Sequence, residues 1–147
     1  MTNVIETTFH LAHAVKQQLS YVLETQNLGI APMHVRVLKI IHKRKGCTAI
    51  DIAGLFKRDK AQITRLVQQL IELKLVQKQP NPDDKRSQLL VLTAKGEGVQ
   101  HSVGAFFDTM QTQMFQHIEA YELEIFMKVA EKMTENLAGS LTMDVHI

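Results

Sequence analysis

The side chains best suited to specific chemistry cluster in one stretch, Asp59–Leu73 (DKAQITRLVQQLIEL). Ile63, Leu66, Val67, Leu70 and Leu73 recur there at helical spacing, so one side of this segment is apolar. The 3.6-residue period then turns Ala61, Gln62, Arg65, Gln68 and Gln69 outward, with Lys60 in the first turn and Thr64 at the border. Arginine can bond guanine O6 and N7 together, and glutamine can bond adenine N6 and N7 together. No acidic residue stands on this face before Glu72, so a phosphate would not be repelled. The chemistry on offer is base-edge reading in a duplex major groove. The ordinary alternative is a solvated polar helix face.

A second candidate is the turn Asp83-Asp84-Lys85-Arg86-Ser87. It carries two cations on a narrow projection, and Pro80 and Pro82 stiffen its approach. Such a projection can reach a minor groove, whose negative potential favours arginine. A plain solvated turn is again the alternative.

Other chemistries find little support. A hydrolase needs a nucleophile, a base and an acid in one set, and a metal enzyme needs a ligand cluster; neither pattern appears, so no enzyme, cofactor or metal is expected. His10 and His13 sit on adjacent helical turns and His34 could approach them, but no carboxylate accompanies them at ligand spacing. The single cysteine, Cys47, excludes a disulfide framework and reads as an ordinary thiol. The N-terminus lacks a basic start followed by an apolar run, and no stretch approaches the roughly 18 apolar residues of a membrane span. A soluble, cytoplasmic, single-domain protein is expected.

The elements that must position these residues follow from apolar spacing. Ile5, Phe9, Ala12, Val15, Leu19 and Val22 predict a helix over about 4–25, ended by Asn27, Leu28 and Gly29. Pro32 suits the first turn of a second helix, which carries Met33, Val37, Leu38 and Ile41 inward and stops near Lys45-Gly46. Thr48 and Asp51 look like a cap for a short third helix containing Ile52, Ala53 and Leu55, and Asp59 caps the fourth. Ser87–Thr93 reads as a strand pairing with Val76–Gln79 across a turn-rich loop. Thr93 caps a long helix with Val99, Val103, Phe106, Phe107, Met110, Met114 and Ile118 on its stripe, and a last helix runs near Glu122–Leu137. The fold expected is mainly α with a small β-hairpin wing (α+β): a winged helix-turn-helix flanked by N- and C-terminal helices.

Charge follows the same division. The whole chain has 17 Lys+Arg against 15 Asp+Glu, a formal net of +2, which taken alone argues against a nucleic-acid partner. Residues 32–96 hold 14 Lys/Arg against 5 Asp/Glu, a net of +9; the flanks 1–31 and 97–147 hold 3 against 10, a net of −7. Only the middle is built to face a polyanion, unless the clustering is chance.

Three segments, IAPMHVRVLKII, AIDIAGLFKRDKAQITRLVQQLIELKLV and QPNPDDKRSQLLVLTAKG, resemble the MarR family of bacterial transcription regulators over about 30–98. The DDKRS wing followed by LTAKG is the most specific part. The resemblance implies a homodimeric winged-helix repressor on a near-palindromic double-stranded DNA operator, often released by a small ligand or oxidant. It places Thr64 and Arg65 on the groove-entering helix, Arg86 at the wing tip, and Asp84 as the carboxylate orienting that arginine. In domain terms, 1–147 is one MarR-like domain, with 32–96 contacting DNA and 1–31 and 97–147 forming the dimer. Stripes at 5–22, 99–118 and 123–137 have little to bury against in one chain, which also points to a two-fold interface.

Two positions depart from the family pattern. Lys74 stands where the family usually has a left-handed glycine cap, and Lys78-Gln79 stand where two arginines are common. Many relatives bind an aromatic compound in a cleft between the first, second and fifth helices. His13, His34, Phe106 and Met110 are the candidates for such an effector pocket here, with core packing the alternative for the last two. Oxidant-sensing relatives keep a reactive cysteine in the first helix, where this chain has none. An adaptor that has lost DNA binding, or a metal- or redox-responsive regulator, are the rival readings.

Overall fold

The computed structural model describes residues 3–140. Its elements run α1 (Val4–Thr25), α2 (Pro32–Lys43), α3 (Ala49–Phe56), α4 (Lys60–Glu72), β1 (Val76–Pro80), β2 (Gln88–Leu92), α5 (Ala94–Met114) and α6 (Ala120–Ser140). The chain divides into two compact units after Asp108, inside α5. No helix among the described residues is long and apolar enough to cross a membrane.

The first unit is built around one apolar cluster. Val37, Ile52, Ile63 and Leu70 are fully buried, and Leu23, Val35, Leu38, Ile41, Val67, Leu75, Val76, Leu90 and Val103 close around them. Burying a side chain of this size contributes about 1.5–3 kcal/mol, so this cluster is what holds α2, α3, α4 and the hairpin together. Helix α1 divides its residues along its length: Leu19, Val22 and Leu23 are buried, whereas Val4, Ile5, Phe9 and Leu11 are exposed.

Local chemistry sets the element ends. The Thr48 hydroxyl accepts the Asp51 N–H at 3.3 Å and the Asp51 carboxylate accepts the Thr48 N–H at 2.9 Å. Aspartate therefore completes the reciprocal box that usually takes Glu or Gln. Lys57 turns the chain at φ 49°, and the Asp59 carboxylate accepts the Ala61 N–H at 3.2 Å to start α4.

The end of α4 is more constrained. Lys74 adopts φ 61°, so the left-handed cap is kept without glycine, at about 1–2 kcal/mol. The Leu75 N–H closes back on the Leu70 carbonyl at 2.9 Å, and the Thr93 hydroxyl donates to the Lys74 carbonyl at 2.6 Å. The same hydroxyl accepts the Gly96 N–H at 3.0 Å, capping α5. Gly96 packs so closely on Leu75 that a Cβ there would run into the Leu75 carbonyl. One threonine thus ties the exit of α4 to the entry of α5.

Strands β1 and β2 pair antiparallel, with Val76 opposite Leu92 and Pro80 opposite Gln88. Cys47 adds an isolated bridge to β2: its carbonyl accepts the Leu90 N–H at 2.9 Å, fastening the α2–α3 connection to the hairpin. Its side chain is buried, and burial, with the Asp51 carboxylate adding to it, pushes the thiol above its ordinary pKa.

The second unit is simpler. The sequence stripe of α5 continues to Ile118, but the helix ends at Met114, and His117 takes φ 63° in the following turn. The Glu122 carboxylate then accepts the Glu119 N–H at 2.9 Å to open α6. None of the described side chains of α6 is buried. Tyr121, Ile125, Phe126, Met127, Val129, Met133 and Leu137 all stand exposed.

Candidate nucleic-acid interface

Helix α4 is anchored by Ile63, Val67 and Leu70, which leaves Lys60, Ala61, Gln62, Thr64, Arg65, Gln68 and Gln69 exposed. A cleft of about 360 Å³ lies between this helix and the wing. Lys60, Thr64 and Gln68 line it from α4, and Lys85 and Arg86 line it from the hairpin turn. Lys78 on β1 and the α3 N-terminal residues Thr48, Ala49 and Ile50 complete the wall. Four cations and a helix N-terminus meet there without a carboxylate, which suits a phosphate backbone.

Five of the nine expected contact residues therefore share one cleft. Ala61, Gln62, Arg65 and Gln69 lie outside its lining, on the solvent face of α4. Lys78 was legible only as a missing arginine; its place opposite Leu90 in the hairpin register brings it in. The α3 N-terminus was missed because no local pattern says which helix end the hairpin will face.

The wing is held by its own polar side chains. Asn81 accepts the Asp83 N–H at 3.0 Å and donates to the Ser87 hydroxyl at 2.9 Å. The Asp84 carboxylate accepts the backbone N–H of Arg86 at 2.9 Å. Among the described residues no ion pair joins Asp84 to the Arg86 guanidinium. Asp84 thus bonds the backbone of the turn that carries Arg86.

Residues 28–87 match the model of the MarR family. The match covers the winged helix-turn-helix segment, and over it the chain is similar to that family. A curated relative, the HTH-type transcriptional regulator BilQ of Clostridium symbiosum, is 22% identical over 120 residues, covering 82% of this chain and 83% of its own. The transcriptional regulator HosA of Escherichia coli O111:H- is 22% identical over 125 residues, covering 85% and 93%. The fold is also that of the Staphylococcus aureus MepR–DNA complex, at TM-score 0.83 and 21% identity over 92% of this chain and 99% of the other. Both curated relatives are named as transcriptional regulators.

The residues that the resemblance suggests for an effector cleft are placed as follows. His13 is exposed on α1, Phe106 packs against the core, and Met110 falls in the second unit. His34 is buried with both ring nitrogens engaged: Nδ1 accepts the Ala31 N–H at 2.9 Å and Nε2 meets Gln69 Oε1 at 2.7 Å. Helical periodicity could not foresee this, because it locates a face and says nothing of a ring nitrogen capping its own helix.

A different cleft of about 440 Å³ runs between α2 and α5. Val35, Lys39, His42, Glu97, Gln100, His101 and Phe107 line it. His42 Nδ1 lies 2.9 Å from Glu97, the Lys39 ammonium sits 5.9 Å from the Phe107 ring centre, and Gln100 Oε1 is buried with no hydrogen-bond partner among the described residues. None of the four expected pocket residues lines it.

Proposed function

We propose that two copies of this chain grip a near-palindromic double-stranded DNA operator and repress transcription until a small effector releases them. Residues 32–96 are the DNA-binding part, and the helices within 1–31 and 97–147 form the dimer. The observation that carries the reading is the convergence of Lys60, Lys78, Lys85 and Arg86 with Thr64 and Gln68 around one carboxylate-free cleft. Lysines and Arg86 neutralise phosphates, while Arg65 and the outward glutamines read base edges.

Dimerisation is supported by the exposed apolar side chains of α6 and of the first half of α1 among the described residues. A two-fold interface there would set the two groove-entering helices about one DNA turn apart, roughly 34–36 Å. The effector reading rests on the α2–α5 cleft, where an aromatic compound with a hydrogen-bond donor would meet Phe107 and the unpartnered Gln100 Oε1. Redox control through Cys47 is disfavoured by its burial and raised thiol pKa, since thiolate is the reactive form. The site of action is the chromosome, in the cytoplasm.

Selection of bound fragments from a random duplex library tests this. The expected result is enrichment of an inverted repeat with half-sites about ten base pairs apart, centre to centre. A library that stays unenriched would contradict the proposal.

A further inference from the structure

His34 occupies the third position of α2, where a side chain can reach back to the N-cap backbone. Ala31 has no side-chain acceptor, so this imidazole makes the only side-chain half of the cap, taking the Ala31 N–H on Nδ1 at 2.9 Å. An amide N–H can only donate, so Nδ1 must carry a lone pair and the proton of the neutral ring must sit on Nε2. Nε2–H is then the donor to Gln69 Oε1 at 2.7 Å. The chemistry fixes both the histidine tautomer and the orientation of the Gln69 amide, without a choice left to the carboxamide.

Gln69 lies one helical turn beyond Arg65 on the outward face of α4. The geometry points to His34 as a specificity-determining strut: it turns the Gln69 oxygen toward α2 and leaves only the amide NH2 for DNA. This rests on the DNA-binding reading above. An unconstrained glutamine reads adenine with both atoms, accepting from N6 and donating to N7. With its oxygen held against α2, Gln69 can only donate. Its partner is then an acceptor, namely guanine O6 or N7, thymine O4 or adenine N7 alone, and bidentate adenine reading is lost. Gln62 and Gln68, which carry no such tether among the bonds of the described residues, keep both atoms for a base.

A single substitution inverts the strut. In His34→Glu, the carboxylate is the usual residue for this capping position and still accepts the Ala31 N–H. It has no donor for Gln69 Oε1, so the Gln69 amide rotates to donate to the carboxylate and presents its oxygen outward. Library selection on the wild type and on His34→Glu should show the base preference under Gln69 move away from guanine and thymine, which offer only acceptors, toward cytosine, which offers only an amino donor, or adenine read through N6. The expected switch is about five- to tenfold at that one position per half-site, the discrimination of one hydrogen bond. Enrichment by both proteins with an unchanged preference would overturn the strut and leave the DNA reading intact. Failure of the wild type to enrich any sequence would remove both. Nitrogen-15 NMR of the wild-type histidines supplies a readout independent of DNA and of the variant's folding. An Nε2-protonated His34 with an unprotonated Nδ1 is expected, and the opposite tautomer would overturn the inference.

Discussion

The α4–wing region and helix α6 handle their apolar residues in opposite ways. In the first, Ile63, Val67 and Leu70 disappear into a core shared with α2, α3 and the hairpin, and the outward positions are cationic or amide-bearing. In α6, Ile125 is 57% exposed, Phe126 55%, Met127 68% and Leu137 69%, and the segment around them is acidic. The first region buries its apolar side and turns a cation-lined cleft outward. The other carries an apolar stripe that requires a partner to leave water. The formal net charge of +2 conceals this, because +9 on 32–96 offsets −7 on the flanks. On the proposed function, each surface meets a different partner.

Substitution can break that division at several points. The largest effect is expected from placing a charge in the α6 stripe. Ile125→Glu with Phe126→Glu should convert a sedimenting dimer to monomers and weaken operator binding by about 10²-fold or more, since two half-sites are no longer held together. A variant that remains dimeric would move the interface elsewhere.

Gly96→Ala should act on the other region. Its Cβ meets the Leu75 carbonyl, so α5 must shift from the exit of α4, with a loss of roughly 1–3 kcal/mol in denaturant titration. Arg65→Ala should cost on the order of 1–3 kcal/mol of binding and relax preference at one position per half-site, with stability unchanged. The smallest effect is a gain. Lys74→Gly removes the side chain from a left-handed position at φ 61° and should stabilise the protein by about 1 kcal/mol, read as a higher denaturation midpoint. No gain would mean that the end of α4 is held by Thr93 alone.

Much of the fold was legible because its signals are local. The stripe from Ile5 to Val22 gives α1, Thr48 and Asp51 give the start of α3, and the run to Thr93 gives the second strand and the cap of α5. Features that depend on distant residues were not. The Cys47–Leu90 bridge joins positions 43 residues apart, and no periodicity signals it. His34 was read as part of an effector cleft because neither its burial nor its bond to Gln69 is visible in the sequence. The end of α5 was placed too late, since Ile118 continues the apolar spacing beyond the turn that breaks the helix. For the candidate interface, residue types on α4 and the wing were readable singly. Their meeting in one cleft, with Lys78, required the hairpin register.

The salt dependence of operator binding by wild type and Arg86→Ala tests the central claim most directly. If the basic winged helix faces the duplex, log K should fall steeply between about 50 and 200 mM salt. Removing Arg86 should weaken binding across sequences and flatten the slope by about one per protomer. Binding indifferent to salt, or an Arg86→Ala slope equal to the wild type's, would contradict the account.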